Sequence, residues 1–192
     1  MTSIYFVRHA QPDHLWEDDR TCPLTAEGAE DSKMVTEILK TCSVNRFCSS
    51  PYQRSVDTIA GSAAWYGQEV QTDERFRERR SSKGNNNFEM IRKRWKDFNF
   101  SEENGEALAS VQKRNMQALF DLLKMHSGEN LVIGTHGTAL STILNYYDNR
   151  FLCDDFLRII DFMPYVIRLD FDGLELHAKE EILVVKKEYT GT

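Results

Sequence analysis

Long apolar runs are missing from this chain. No segment of its 192 residues approaches the ~20 consecutive apolar residues that a membrane span requires. The Met1-Thr2-Ser3 start has no basic segment leading into an apolar stretch, so no signal peptide is expected and the chain is read as cytoplasmic. Cysteine is scarce: Cys22, Cys42, Cys48 and Cys153 are scattered without a CxxC pair. That spacing argues against a disulfide framework or a thiolate zinc site and favours reduced thiols in or near a core. HxH and HExxH spacings, which would offer a histidine metal site, are missing too, and no cofactor is expected. A basic excess is also lacking, with 24 Lys and Arg against 30 Asp and Glu, net −6. Neither nucleic acid nor an anionic membrane is therefore expected as a partner.

What is present suits one globular domain over residues 1–192. A chain of this length can bury roughly 70% of its unfolded surface. Ser3–Val7 reads as a buried strand, and Arg46–Ser49 and Leu131–Ile133 as two more. Thr25 is placed to N-cap a helix with Val35, Ile38 and Leu39 on its apolar face. Ser50-Pro51 reads as an N-cap followed by proline at the first helical position. A long amphipathic helix is expected over Gly105–Met125, through Leu108, Val111, Leu119 and Leu122. Asp73–Asn99 is the least regular region. Tyr165–Phe171 and Leu174–Ala178, joined through Asp172-Gly173, form a β-hairpin. Strands alternating with helices predict an α/β three-layer sandwich. Its central sheet is mainly parallel with an antiparallel edge, and helices cover both faces.

The chemistry gathers at the strand ends. In "IYFVRHAQPDH" an apolar strand runs straight into Arg8-His9, although burying an unpaired cation costs several kcal/mol. The strand must end there, or an anion must wait at its tip. The second strand leads to Arg54 in the first turn of the next helix, and the third to His136-Gly137. In open α/β sheets ligands bind outside the carboxyl ends of the strands. If these three strands are neighbours, two arginines and two histidines surround one spot, with helix N-termini adding N–H donors. Arginine suits multidentate binding of phosphate. A histidine among cations keeps a free lone pair and can act as nucleophile. A leaving alkoxide then needs a carboxylic acid, and Glu74 or Glu78 in "TDERFRERR" is a candidate. His14, His126 and His177 are read as ordinary loop or surface residues.

The segments "FVRHAQ", "SSPYQRSVDTI", "ERFRER" and "VIGTHGTAL" resemble, in order, the four signatures of the histidine phosphatase superfamily, which includes cofactor-dependent phosphoglycerate mutases. "CPLTAEG" and "RWKDFNFSEENGEALASVQKR" are similar to stretches between them. The resemblance implies that His9 becomes a phosphohistidine and that Arg8, Arg54 and His136 hold the phosphoryl oxygens. It selects Glu78 over Glu74 as general acid and base, in the triplet Phe76-Arg77-Glu78. Arg79 and Gly137 join the implied substrate-binding set.

Departures from the family pattern shape the expected activity. Ala10, Pro12 and Leu15 stand where a glycine, a hydroxyl and an amide are usual, which weakens the case for a sugar-phosphate mutase. The polar "RRSSKGNNNFEM" replaces the usual Gly-x-Trp-Glu-Gly. Residues around 79–104 are expected to form a substrate-capping insertion, with Arg79, Arg80, Lys83, Arg92 and Lys93 on a solvated basic face. The expected activity is a metal-independent phosphatase acting on a small phosphorylated substrate. A mutase is the alternative, and a non-catalytic phospho-ligand module a third.

Overall fold

The computed structural model describes residues 1–81 and 87–187. Lys83 and most of the "SSKGNNN" run therefore lie outside the described residues. The central sheet has six strands: β1 (Thr2–Arg8), β2 (Arg46–Ser49), β3 (Gln71–Thr72), β4 (Asn130–Thr135), β5 (Phe162–Asp172) and β6 (Glu175–Lys186). Their spatial order is β3-β2-β4-β1-β5-β6. β1, β2, β3 and β4 run parallel, whereas β5 and β6 are antiparallel at one edge. The expected α/β sandwich is the observed one.

Period-2 alternation divides the core into two faces. Ile4 and Phe6 of β1 and Leu131 and Ile133 of β4 point to one side. There they pack with α4 (Leu108–Met125), α5 (Gly137–Tyr147) and α6 (Cys153–Ile159). Tyr5, Val7 and Val132 point to the other, against α1 (Ala26–Leu39) and α2 (Gln53–Trp65). Each such side chain, fully buried, contributes about 1.5–3 kcal/mol. Strands buried on both faces need continuous apolar runs, which is why β1 is apolar up to Arg8.

Local chemistry fixes the boundaries. Thr25 caps α1 as expected, its hydroxyl accepting the Gly28 N–H at 2.9 Å. A side chain at position 28 would meet the Gln11 carbonyl oxygen at 2.3 Å, so glycine there lets the loop after β1 lie against α1. The expected start of α2 is corrected: the helix begins at Gln53 after Tyr52. Ser50 instead accepts the Tyr52 N–H at 3.2 Å, and its hydroxyl also faces His136. α4 starts at Leu108 and not at Gly105; Glu106, ahead of it, pairs with Arg77 and with Arg114 of α4 itself. The hairpin turn centres on Gly173-Leu174, with φ +59° at Gly173, the position at which a II′ turn wants glycine. The irregular 73–99 stretch holds a short 3-10 turn (Glu74–Phe76) and α3 (Phe88–Lys96), capped by the Asn87 side chain.

Candidate active site

β1, β4 and β2 are neighbours, so their ends converge. Arg8 pairs with Thr135 and Ser49 with Gly134 across the strands, which sets the three exits level. His9 follows β1, His136 precedes the first residue of α5, and Arg54 stands in the first turn of α2. All are buried despite their polarity: His9 is 6% exposed and His136 0%.

The hydrogen bonds fix the state of His9. Its Nδ1 lies 2.8 Å from the Ala10 carbonyl, and Arg54 Nε lies 3.3 Å from its Nε2. A guanidinium only donates. Nε2 must therefore present its lone pair, with the ring proton on Nδ1 donating to Ala10. Burial above all, then the Arg54 and Arg8 guanidiniums, holds His9 well below the ordinary imidazole value of 6.5. Burial, Arg54, His9 and Arg8 do the same to His136. Both rings are neutral at neutral pH, centroids 5.2 Å apart. His136 Nε2 lies 2.7 Å from Ser50 Oγ. Its Nδ1 is buried without a hydrogen-bond partner among the described residues.

Neighbours hold the arginines. Arg54 Nη1 donates to the Asp19 carbonyl at 2.6 Å and pairs with the Asp19 carboxylate at 2.9 Å. Its Cζ lies 5.0 Å from the centre of the Tyr52 ring. Arg8 Nη1 donates to the carbonyls of Ile159 and Ile160, at 2.6 and 2.8 Å, at the end of α6. A Cβ at Gly137 would stand 3.3 Å from Arg8 Cζ, so glycine there admits the guanidinium.

Glu78 sits at the N-terminus of α5. Its carboxylate accepts the N–H groups of Thr138 (3.0 Å), Ala139 (3.2 Å) and Arg79 (2.7 Å). This corrects one expectation: those two α5 amides serve Glu78 and not a phosphate. Glu74 is exposed and ion-paired with Arg20, away from this cluster. Sequence reading missed Arg114, which donates to the carbonyls of Arg75, Arg77 and Glu78 and so fixes the segment carrying the carboxylate. Burial pushes the Glu106 carboxyl up, but Arg114 and Arg77 outweigh it and bring it down to about 2. Nothing in the pattern around Arg114 separates it from a solvated helix residue.

The expected solvated basic face is also corrected. Arg80, Arg92 and Lys93 are exposed, but Arg79 and Arg94 are 5% and 3% exposed and both pair with buried Glu102. They line a cavity that also touches Arg8, Glu78, Trp95 and Phe156. Arg94 and Trp95 went unread as site residues. They share one side of α3, whose buried residues recur as Ile91, Arg94 and Trp95. Of the other histidines, His126 pairs with Glu129 at 3.4 Å and His177 is exposed. His14 is exposed, yet partial burial and then Arg54 and Arg8 lower its pKa.

Fold and site together define an α/β protein with paired histidines and arginines at the carboxyl edge of parallel strands. The sequence profile of the histidine phosphatase superfamily (branch 1) matches residues 4–160, and the chain belongs to that family. A probable phosphoglycerate mutase of Enterobacter sp. (strain 638) is 25% identical over 168 residues, covering 76% of this chain and 74% of that one. The fold is shared with YhfR of Bacillus stearothermophilus (TM-score 0.76, 21% identity, 98% of each chain). It is shared as well with a phosphoserine phosphatase of Entamoeba histolytica in complex with 3-phosphoglyceric acid (TM-score 0.74, 19% identity, 99% and 98%). A mycobacterial glucosyl-3-phosphoglycerate phosphatase is similar in fold (TM-score 0.73, 14% identity, 97% and 99%). Among the described residues, no helix is long and apolar enough to cross a membrane.

Proposed function

We propose that the chain is a metal-independent phosphomonoester hydrolase that works through a phosphohistidine on His9. The observation that carries this reading is the fixed tautomer of His9, whose Nε2 lone pair is aimed into a cluster of two arginines and a second imidazole.

In the first step Nε2 attacks phosphorus and the ester P–O bond breaks. The electron pair passes to the leaving oxygen, which takes a proton from Glu78. Arg8, Arg54 and His136 stabilise the charge on the phosphoryl oxygens. In the second step the Glu78 carboxylate takes a proton from water, whose oxygen attacks phosphorus. The P–N bond breaks, its electrons return to Nε2, and inorganic phosphate leaves. Arg79 and Gly137 belong to the binding set, Gly137 by admitting Arg8. Of the expected cap around 79–104, residues 82–86 lie outside the described residues; the rest, with α3 within it, serves as the cap over a small phosphorylated substrate in a single domain.

The mutase reading is second, favoured by the Enterobacter relative. Against it, Leu15 is 93% exposed and Pro12 is bridged to Leu24, so neither replaces the phosphate ligands the mutase pattern has there. The deciding experiment is hydrolysis of p-nitrophenyl phosphate in excess EDTA by wild type and His9→Ala. Turnover in wild type that disappears in the variant, with acid-labile phosphate trapped on His9 by rapid quench, is the expected result. Equal turnover in both proteins removes His9 as nucleophile. Isomerisation of 3-phosphoglycerate without phosphate release moves the assignment to mutase.

A further inference from the structure

His136 is held on three sides. The backbone N–H of Ser50 donates to the Gly134 carbonyl at 2.9 Å, which continues the β2–β4 pairing one residue past Ser49. That register sets the Ser50 hydroxyl beside the imidazole, Oγ to Nε2 at 2.7 Å. The rings of His9 and Tyr52 pack edge to face against the same imidazole, each with its centroid 5.2 Å away. Ser50 and His136 are both 0% exposed, so bulk water does not complete their hydrogen bonds. A count of donors and acceptors then assigns the tautomer. Ser50 Oγ accepts the Tyr52 N–H at 3.2 Å, and among the described residues its own proton has one acceptor, Nε2 of His136. A ring proton on Nε2 would strand that hydroxyl proton in the interior, where an unmade hydrogen bond is costly. The hydroxyl therefore donates, Nε2 accepts, and the neutral ring carries its proton on Nδ1. That nitrogen is buried with no partner among the described residues.

We propose that Ser50 is a positioning residue: its hydroxyl keeps the His136 proton on Nδ1, where it is the donor that meets a phosphoryl oxygen beside His9. A phosphoryl oxygen only accepts, so it completes a buried N–H that the protein itself leaves unmatched. The opposite tautomer would offer the anion a lone pair and repel it. Which ring nitrogen is protonated is set by the bond the other one makes, and here that bond comes from Ser50. The tautomer stands on the hydrogen bonds alone, whereas the role of Nδ1 towards phosphorus rests on the hydrolase reading.

The test is the ¹⁵N spectrum of the histidine rings at pH 7.5 in wild type, Ser50→Ala and Ser50→Thr, with His136 assigned by its loss in His136→Gln. Wild type should show His136 protonated at Nδ1 and bare at Nε2. Ser50→Thr keeps the hydroxyl and should keep that pattern, whereas Ser50→Ala should move the proton towards Nε2. Inorganic phosphate added to wild type should shift the Nδ1 proton downfield. Turnover of p-nitrophenyl phosphate should fall about tenfold to a hundredfold in Ser50→Ala, below the roughly 10²–10³ lost when a donor itself is removed. A residue that merely supports the fold lowers turnover and leaves the tautomer as it was. Three results each overturn the proposal: a wild-type proton on Nε2, a wild-type tautomer retained in Ser50→Ala, or an Nδ1 proton that phosphate leaves unmoved. The first and third need wild type alone, so they decide even if Ser50→Ala does not fold. If wild type hydrolyses no ester, the hydrolase reading fails, while the ring spectra with and without phosphate still judge Ser50.

Discussion

The cluster at the strand ends and the cavity beside it are neighbours built on different principles. His9 and His136 leave adjacent parallel strands, and Arg54 enters the first turn of the helix that follows a third, so sheet topology alone brings them together. The cavity joins Arg8, Glu78 and the start of α5 to Arg79, to Ile91, Arg94 and Trp95 of α3 and to Phe156 of α6, side chains that meet only through tertiary packing. A strand end is a rigid platform, whereas an irregular segment can be rebuilt without disturbing the sheet. On the proposed reading, the phosphoryl chemistry sits on the first.

Glu78 touches both regions, so its replacement should produce the largest effect and the most telling one. Glu78→Gln should lower turnover of phenyl phosphate by about 10²–10⁴, the usual range for general acid-base catalysis. The loss should be smaller for p-nitrophenyl phosphate, whose leaving group needs less help from a proton. Equal losses for the two esters, measured side by side in steady state, would remove Glu78 from the proton transfer.

Arg54→Ala comes next. It should cost every substrate about 10²–10³ in kcat, comparable to losing one preorganised donor, and it should spare the selectivity among leaving groups. An altered selectivity would mean that the two regions are not separable in the way their construction implies.

The smallest effect concerns stability. His9 and His136 are held neutral in the fold, but in the unfolded chain they take up a proton near 6.5. Below that pH the unfolded state binds more protons, so stability must fall as pH falls. Each group contributes up to about 1.4 kcal/mol per pH unit until its lowered folded-state pKa is reached. His136→Gln should flatten this dependence when urea midpoints at pH 7.5 and 5.5 are compared. A variant as pH-sensitive as wild type would mean that His136 does not titrate on unfolding as its burial demands.

Much of the first region can be read from residue order. The apolar run ending at Arg8-His9 and the strands at Arg46–Ser49 and Asn130–Thr135 report their own burial, and Thr25 reports a helix cap. Backbone periodicity and capping are local, so they leave a local signature. Glu78 was distinguishable from Glu74 only by family resemblance. In the structure the two separate completely, one on the α5 amides and the other exposed with Arg20.

By itself, the sequence determined the alternation of strands and helices, the two-sided burial of β1 and β4, and the charged residues at three strand exits. Only the tertiary structure decided that those exits are neighbours, that Nε2 of His9 carries the lone pair, and that Arg79 and Arg94 turn inward onto Glu102. The reason is physical. A side chain's burial in an irregular segment, and the partner that makes its charge tolerable, are set by residues distant along the chain, and no local pattern records them.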